Sequence, residues 1–219
     1  MESIERGIVM GLMRISMKEQ MYDIIKNRIL SNEYKLGEQI NIVSLSKEFE
    51  TSNTPIREAL AALEKEGLVT SKHNYRYQVV SLDEENCEKI NNALGVLLCG
   101  AYREIVENEN SKKLEELLEK RLKEQKQIDP DNDMTEYIKA SIRFDRGFIE
   151  VTENEYLEEM YDSMSGYLFL SARHIFETNR QSVEKHLAEH EDLIRAVRSE
   201  ETEEVVRSIK NHYNKPYQK

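Results

Sequence analysis

Apolar residues recur at helical spacing along most of this chain, and the pattern gives way to a two-residue alternation in only one place. From Met17 to Leu30 the positions Met21, Ile24, Ile25 and Ile29 share one face, and the stretch ends at Ser31-Asn32 with a turn at Leu36-Gly37. Ile42, Leu45 and Phe49 mark a short second helix. After the polar turn Thr51-Ser52-Asn53, a third helix carries the stripe Ile56, Leu60 and Leu63 and stops at Gly67. The period then changes. Leu68-Val69 and Tyr77 to Val79 are β-prone runs on either side of a polar turn at Lys72 to Asn74, which predicts a β-hairpin. From about residue 83 helical spacing returns, predicting helices at 83–107, 111–127, 133–151, 154–176, 181–199 and 201–213, with breaks at 129–131 and 177–180. Residues 1–16 show no pattern and stay unassigned.

Three helices and a hairpin, with the second and third helices joined by a tight turn, predict a winged helix-turn-helix over residues 17–80. Residues 81–219 predict an all-α bundle of about six helices, so the fold class is mainly α. In the stretch "TSNTPIREALAALEKEGLV" Thr54 is placed to cap the third helix and Pro55 to occupy its first position. Arg57 then falls in the first turn, where the helix dipole already makes the backbone positive. A residue that breaks the local rule points to function, and a polyanion in the position of a DNA duplex removes the conflict. In this architecture the start of the third helix meets the major groove, and Ala61, one turn beyond Arg57, permits close approach. Lys72, His73 and Arg76 in the wing are placed for phosphate contacts.

The net charge of −11 argues against a nucleic-acid partner only if it is spread evenly. It is not. Residues 1–80 carry 11 Lys+Arg and 11 Asp+Glu, whereas residues 81–219 hold the remaining 20 and 31, so the whole excess lies in the second part. There is no apolar run of about 18 residues and no signal-peptide pattern, so a cytoplasmic protein without a membrane partner is expected. Cys87 and Cys99 lie twelve residues apart on one predicted helix, too far for a disulfide, and read as reduced core thiols. The charge-rich segment "SKKLEELLEKRLKEQKQ" is expected to be a solvated face laced with i to i+4 pairs.

With these residues in place, the chain resembles the GntR family of bacterial transcription regulators, and within it the FadR-like branch with an all-helical FCD effector domain. The segment "TPIREALAALEKEGLV" carries the likeness most strongly, and it extends over about residues 17–213. The resemblance implies a homodimer on a double-stranded DNA operator, with a small metabolite bound in the helical domain and altering DNA affinity. It implies base reading by Arg57, base or backbone contacts from Ser52 and Thr54, and a minor-groove contact from His73. Asn53 stands where the family usually has an arginine, Ala61 and Ala62 stand where further arginines are common, and Leu36 replaces a common proline.

The resemblance also implies a divalent metal, zinc, nickel or manganese, held by an aspartate, a histidine four residues later, and two histidines twenty-two residues apart. Asp145, His190 and His212 fit that pattern, but Ile149 stands where the first histidine belongs, so the site is incomplete, and a metal-free buried polar cluster satisfied by hydrogen bonds and water is an equal reading. His186, one turn before His190, offers a substitute. Side chains one turn apart diverge unless packing aims them together, so a solvent-facing His186 is the stronger expectation. Asn91 and Gly95 align with an arginine and a glutamate of the family's first effector helix, which makes Asn91, Ile149 and His186 the expected pocket residues. Asn91 and Ile149 favour an effector with more hydrocarbon or no carboxylate. Two other functions remain open: an architectural DNA binder blind to effectors, and a metal-dependent enzyme, against which stands the lack of any motif supplying a general base or activated nucleophile.

Overall fold

The structure is a computed structural model that describes residues 16–72, 76–178 and 181–213. Helix α1, Met17–Leu30, opens on a capping box in which Ser16 and Glu19 satisfy each other's backbone N–H groups, and it buries Met21, Ile25, Ile29 and Leu30. Strand β1, Gln39–Ile40, precedes α2, Ile42–Glu48, which Asn41 caps through the Ser44 N–H. Helix α3, Asn53–Lys65, turns Ile56, Ala59, Leu60 and Leu63 inward. Strands β2, Val69–Lys72, and β3, Arg76–Val79, form the wing. The sheet is antiparallel in the order β1-β3-β2, with Gln39 opposite Gln78 and Val69 opposite Val79. The expected hairpin thus has a third strand, which two residues are too few to announce by periodicity.

Six helices follow among the described residues: α4, Glu84–Glu107; α5, Ser111–Lys126; α6, Met134–Glu150; α7, Glu155–Thr178; α8, Gln181–Arg198; and α9, Thr202–Tyr213. They match the expected positions to within about two residues at each end. Helix α4 packs on α9, α5 on α6 and α8, α6 on α7, and α8 on α9, around a core that includes Tyr102, Phe144, Phe148, Ile149 and Tyr161. Cys87 and Cys99 are buried, reduced thiols on α4. Burial pushes both thiols up, consistent with inert core residues.

Helix α5 departs from expectation. Its charged residues reach to other elements: Lys113 to Glu153, Arg121 to Glu150, Lys126 to Glu191 at 2.6 Å, and Glu115 and Glu119 to Arg198. Local spacing on one helix cannot reveal partners on another.

A second core belongs to both parts of the chain. The apolar faces of α1, α2, α3 and the sheet pack with Tyr137 and Ile138 of α6, Phe169, Leu170 and Phe176 of α7, and Val183 of α8. Polar contacts close the same seam. Gly166 in α7 donates its N–H to the Glu66 carbonyl at 2.9 Å, and Arg173 and Thr135 both donate to the Leu30 carbonyl that ends α1. Two glycines permit this approach. Gly67 adopts φ +75°, where a side chain is strained, and a Cβ on Gly166 would run into the Glu66 carbonyl and lie 2.6 Å from Leu68 Cγ. No helix among the described residues is long and apolar enough to cross a membrane.

Candidate DNA-reading helix and metal centre

Ser52, not Thr54, is the N-cap of α3, and its side chain makes no capping hydrogen bond. Pro55 is therefore the third helical residue and Arg57 the fifth, two residues further from the helix start than expected. The dipole conflict inferred for Arg57 is correspondingly smaller, because that effect fades beyond the first turn. Arg57 is half-buried, with Nη1 shielded from solvent, whereas Ser52, Asn53, Thr54 and Ala61 are exposed. The third-helix stripe faces the core as expected, because Ile56, Leu60 and Leu63 are three and four residues apart.

Lys72 ends β2 opposite Arg76, which is exposed on β3, and His73 lies outside the described residues. Glu64 ties the wing to α3, accepting from the Ser71 N–H at 2.8 Å and the Ser71 hydroxyl at 2.7 Å. Two other basic residues of the winged helix form ion pairs. Lys26 meets Glu66 at 2.7 Å, and Arg28 meets Glu48 and Glu33.

Helices α6, α8 and α9 converge on a second cluster. Asp145 lies on the inward face of α6, with Oδ1 3.7 Å from His190 Nε2 and Oδ2 3.6 Å from His212 Nε2. All three side chains are buried. Outer partners set the imidazole tautomers. His212 Nδ1 lies 3.2 Å from Glu189 Oε2, and since a carboxylate only accepts, Nδ1 carries a proton. His190 Nδ1 likewise meets Gln125 Oε1 at 2.8 Å, and Phe144 stacks on the ring at 3.9 Å. In the neutral imidazoles, two lone pairs would face one carboxylate. That arrangement is repulsive unless a cation or proton lies between them.

The donor set fits a divalent ion. Ligand atoms about 2.0–2.1 Å from a tetrahedral zinc are about 3.3 Å apart, close to the separations around Asp145. Asp145 Oδ1 is buried without a hydrogen-bond partner among the described residues, which is the mark of a group arranged for something else. Burial pushes the Asp145 carboxyl up, but His212 and His190 outweigh it and hold the carboxyl below its ordinary value. Burial and then the Asp145 charge push the neighbouring Tyr213 hydroxyl well up.

His186 is not solvent-facing. It is half-buried on α8, with its ring centre 4.5 Å from that of His190 and 4.7 Å from that of His212. Its Nε2 bonds Ser141 Oγ at 2.6 Å. One ligand atom from each of His186, His190 and His212 lies within 4.8 Å of the others. Ile149 is wholly buried in the helical core. Asn91, half-buried on α4, shares a face with Gly95, where a Cβ would lie 3.8 Å from Tyr213 Cβ. Glu189, Gln125 and Ser141 have no counterpart in the sequence reading. Nothing local in the sequence marks Gln125 or Ser141, which come from α5 and α6.

A winged helix joined to an all-helical C-terminal bundle defines a class of DNA-binding protein, and sequence comparison makes it specific. Residues 17–79 match the bacterial regulatory proteins of the gntR family and residues 90–215 match the FCD domain. The chain belongs to the GntR family of DNA-binding transcriptional regulators that carry an FCD domain. It is 27% identical over 196 residues to the uncharacterized HTH-type transcriptional regulator YdhC of Bacillus subtilis strain 168, covering 89% of this chain and 87% of that protein. Among solved structures it resembles Escherichia coli McbR/YncC, with a TM-score of 0.66 at 20% identity over 91% of this chain and 94% of that one. It also resembles Lar, said to control expression of the Listeria monocytogenes agr system, with a TM-score of 0.61 at 18% identity over 90% and 93%. At such identities the solved structures speak for the fold alone.

Proposed function

We propose that this protein is a cytoplasmic homodimeric regulator whose affinity for a DNA operator is set by a small metabolite and a divalent cation bound in the helical part. Residues 17–80 address DNA, and residues 81–219 dimerise and bind the effector. Arg57 reads a base edge in the major groove, with Ser52, Asn53 and Thr54 at the helix start and Lys72, His73 and Arg76 in the wing contacting the duplex. The uncapped Ser52 supports this, because it leaves helix-terminal N–H groups for a phosphate. A single winged helix makes few contacts, and a two-fold dimer doubles them across two half-sites.

The effector reading rests on one observation: Asp145, His190 and His212 converge in a buried cluster with an orphaned carboxylate oxygen. A scaffold serving only dimerisation gains nothing from such a cluster, which costs desolvation energy, so a purely architectural role is disfavoured. An ion held there would offer open positions to a hard oxygen donor of the effector. Asn91, standing where the family's arginine is expected, favours an effector with a sizeable hydrocarbon part or no carboxylate, whereas Ile149, expected in the pocket, is sealed in the apolar core. No catalytic base or nucleophile is assigned, and the protein is not an enzyme in this reading.

Occupancy reaches the DNA-binding part through the shared core. The His186 ring packs edge-on against Phe176 at 5.4 Å, and Phe176 against Tyr137 at 6.1 Å. Both aromatic residues belong to the core that holds α1 and α3. A ligand that favours one packing of these rings over another biases the winged helix by its difference in affinity for the two. The test is operator affinity, measured at fixed salt with chelator-stripped and zinc-loaded protein and a panel of small carboxylates and apolar metabolites. Affinity that no ligand changes contradicts effector control.

A further inference from the structure

Ile149 leaves α6 one imidazole short, and the structure has a third imidazole elsewhere. Ser141, Asp145 and Ile149 lie on one face of α6 at four-residue spacing, each about 6 Å further along the axis. The position occupied by Ile149 lies beyond Asp145 toward the C-terminus of the helix, inside the apolar core. His186 approaches from α8 at the other side of Asp145, against Ser141. We propose that His186 is a metal ligand, so that the ion is held by Asp145, His186, His190 and His212 and its centre is displaced by up to a turn toward Ser141. The proposal rests on the metal reading above and deepens it.

Three observations carry it. His186 and His190 are four residues apart on one helix, a spacing at which two imidazoles can hold one ion. Their rings are already turned toward each other, at 4.5 Å, and both approach His212. Glu189 serves two of the three, with Oε2 3.2 Å from His212 Nδ1 and 3.9 Å from His186 Nδ1, so both rings present Nε2 inward. In His186 that inward nitrogen meets the Ser141 hydroxyl. Ligation exchanges this neutral hydrogen bond for the ion, and small rotations of the rings draw the ligand atoms from within 4.8 Å into one coordination sphere, in which a five- or six-coordinate ion keeps a position for the effector. Burial of Ser141 and half-burial of His186 keep the exchange out of bulk water.

The experiment uses the full chain, stripped with chelator, and titrates zinc by calorimetry. Cobalt absorption spectra follow the number of nitrogen ligands. Wild type is expected to bind one ion per chain; His186→Gln, which keeps much of the side-chain volume, is expected to bind at least tenfold more weakly and to shift the cobalt bands. Ser141→Ala is expected to bind as tightly as wild type or more so, since it removes the competing hydrogen bond. Metal-free melting curves separate loss of fold from loss of ligand. Wild-type affinity and an unchanged spectrum in His186→Gln, with binding lost in His212→Ala, would overturn the His186 assignment and leave the Asp145, His190 and His212 site standing. Wild type that binds neither zinc nor cobalt overturns both.

Discussion

Replacing Gly166 by alanine tests whether the two parts of the chain are mechanically joined, and two arguments give opposite signs. Gly166 lies in the middle of α7, where alanine improves helix propensity by about 1 kcal/mol. Yet the new methyl group would overlap the Glu66 carbonyl and lie 2.6 Å from Leu68 Cγ. The carbonyl is backbone at the end of α3 and cannot swing aside, so overpacking costs about 1–3 kcal/mol. The 2.9 Å hydrogen bond from Gly166 N to the Glu66 carbonyl is lengthened or lost with it, a further loss of about 1 kcal/mol. The net is a destabilisation of about 1–3 kcal/mol. At about 2–4 °C per kcal/mol for a chain of this size, melting temperature falls by roughly 2–12 °C. Differential scanning calorimetry measures it, and the same variant should lose part of the ligand effect on operator affinity. A melting temperature equal to wild type or higher would refute the seam as described, leaving helix propensity as the only effect.

Four further outcomes follow from the structure. Arg57→Ala should weaken operator binding by about 1–3 kcal/mol and relax specificity at one base position, measured by fluorescence anisotropy at fixed salt. Glu189→Gln and Gln125→Leu should each lower zinc affinity about 10–100-fold without removing a ligand, because they release the imidazole orientations, and calorimetry decides this. Ile149→Val should cost about 0.5–1.5 kcal/mol in denaturant unfolding yet leave zinc affinity within twofold, as suits a core residue that is no ligand. Glu64→Ala should detach the wing from α3, costing about 1 kcal/mol in stability and lowering operator affinity, seen in paired melting and anisotropy measurements.

The elements legible in the sequence were those set by local periodicity and punctuation. The helices from α4 to α9 appear almost at their observed bounds because each carries a repeated apolar stripe and ends at a turn or at Pro130. Strand β1 was illegible because two residues have no period and their pairing with β3 lies 37 to 39 residues away. The start of α3 moved from Thr54 to Ser52, because two neighbouring hydroxyl residues are both good caps and only the folded backbone chooses. Asp145, His190 and His212 were accessible through the family spacing. His186 was misplaced toward solvent because its position depends on α6: Ser141 draws the ring inward, and no spacing along α8 announces that bond. The α5 ion pairs and the Gly166 seam were hidden for the same reason, as properties of contacts between distant segments.

The central claim is that one protein both reads DNA and is controlled from its helical part. Its most direct test starts with selection from a random duplex library, followed by affinity measurements on the enriched sequence at one salt concentration with stripped, zinc-loaded and metabolite-loaded protein. The account predicts two related half-sites, separated by about one or more helical turns, and an affinity that changes at least fivefold between ligand states, a coupling of about 1 kcal/mol. Enrichment of no sequence, or one affinity in every ligand state, would contradict it.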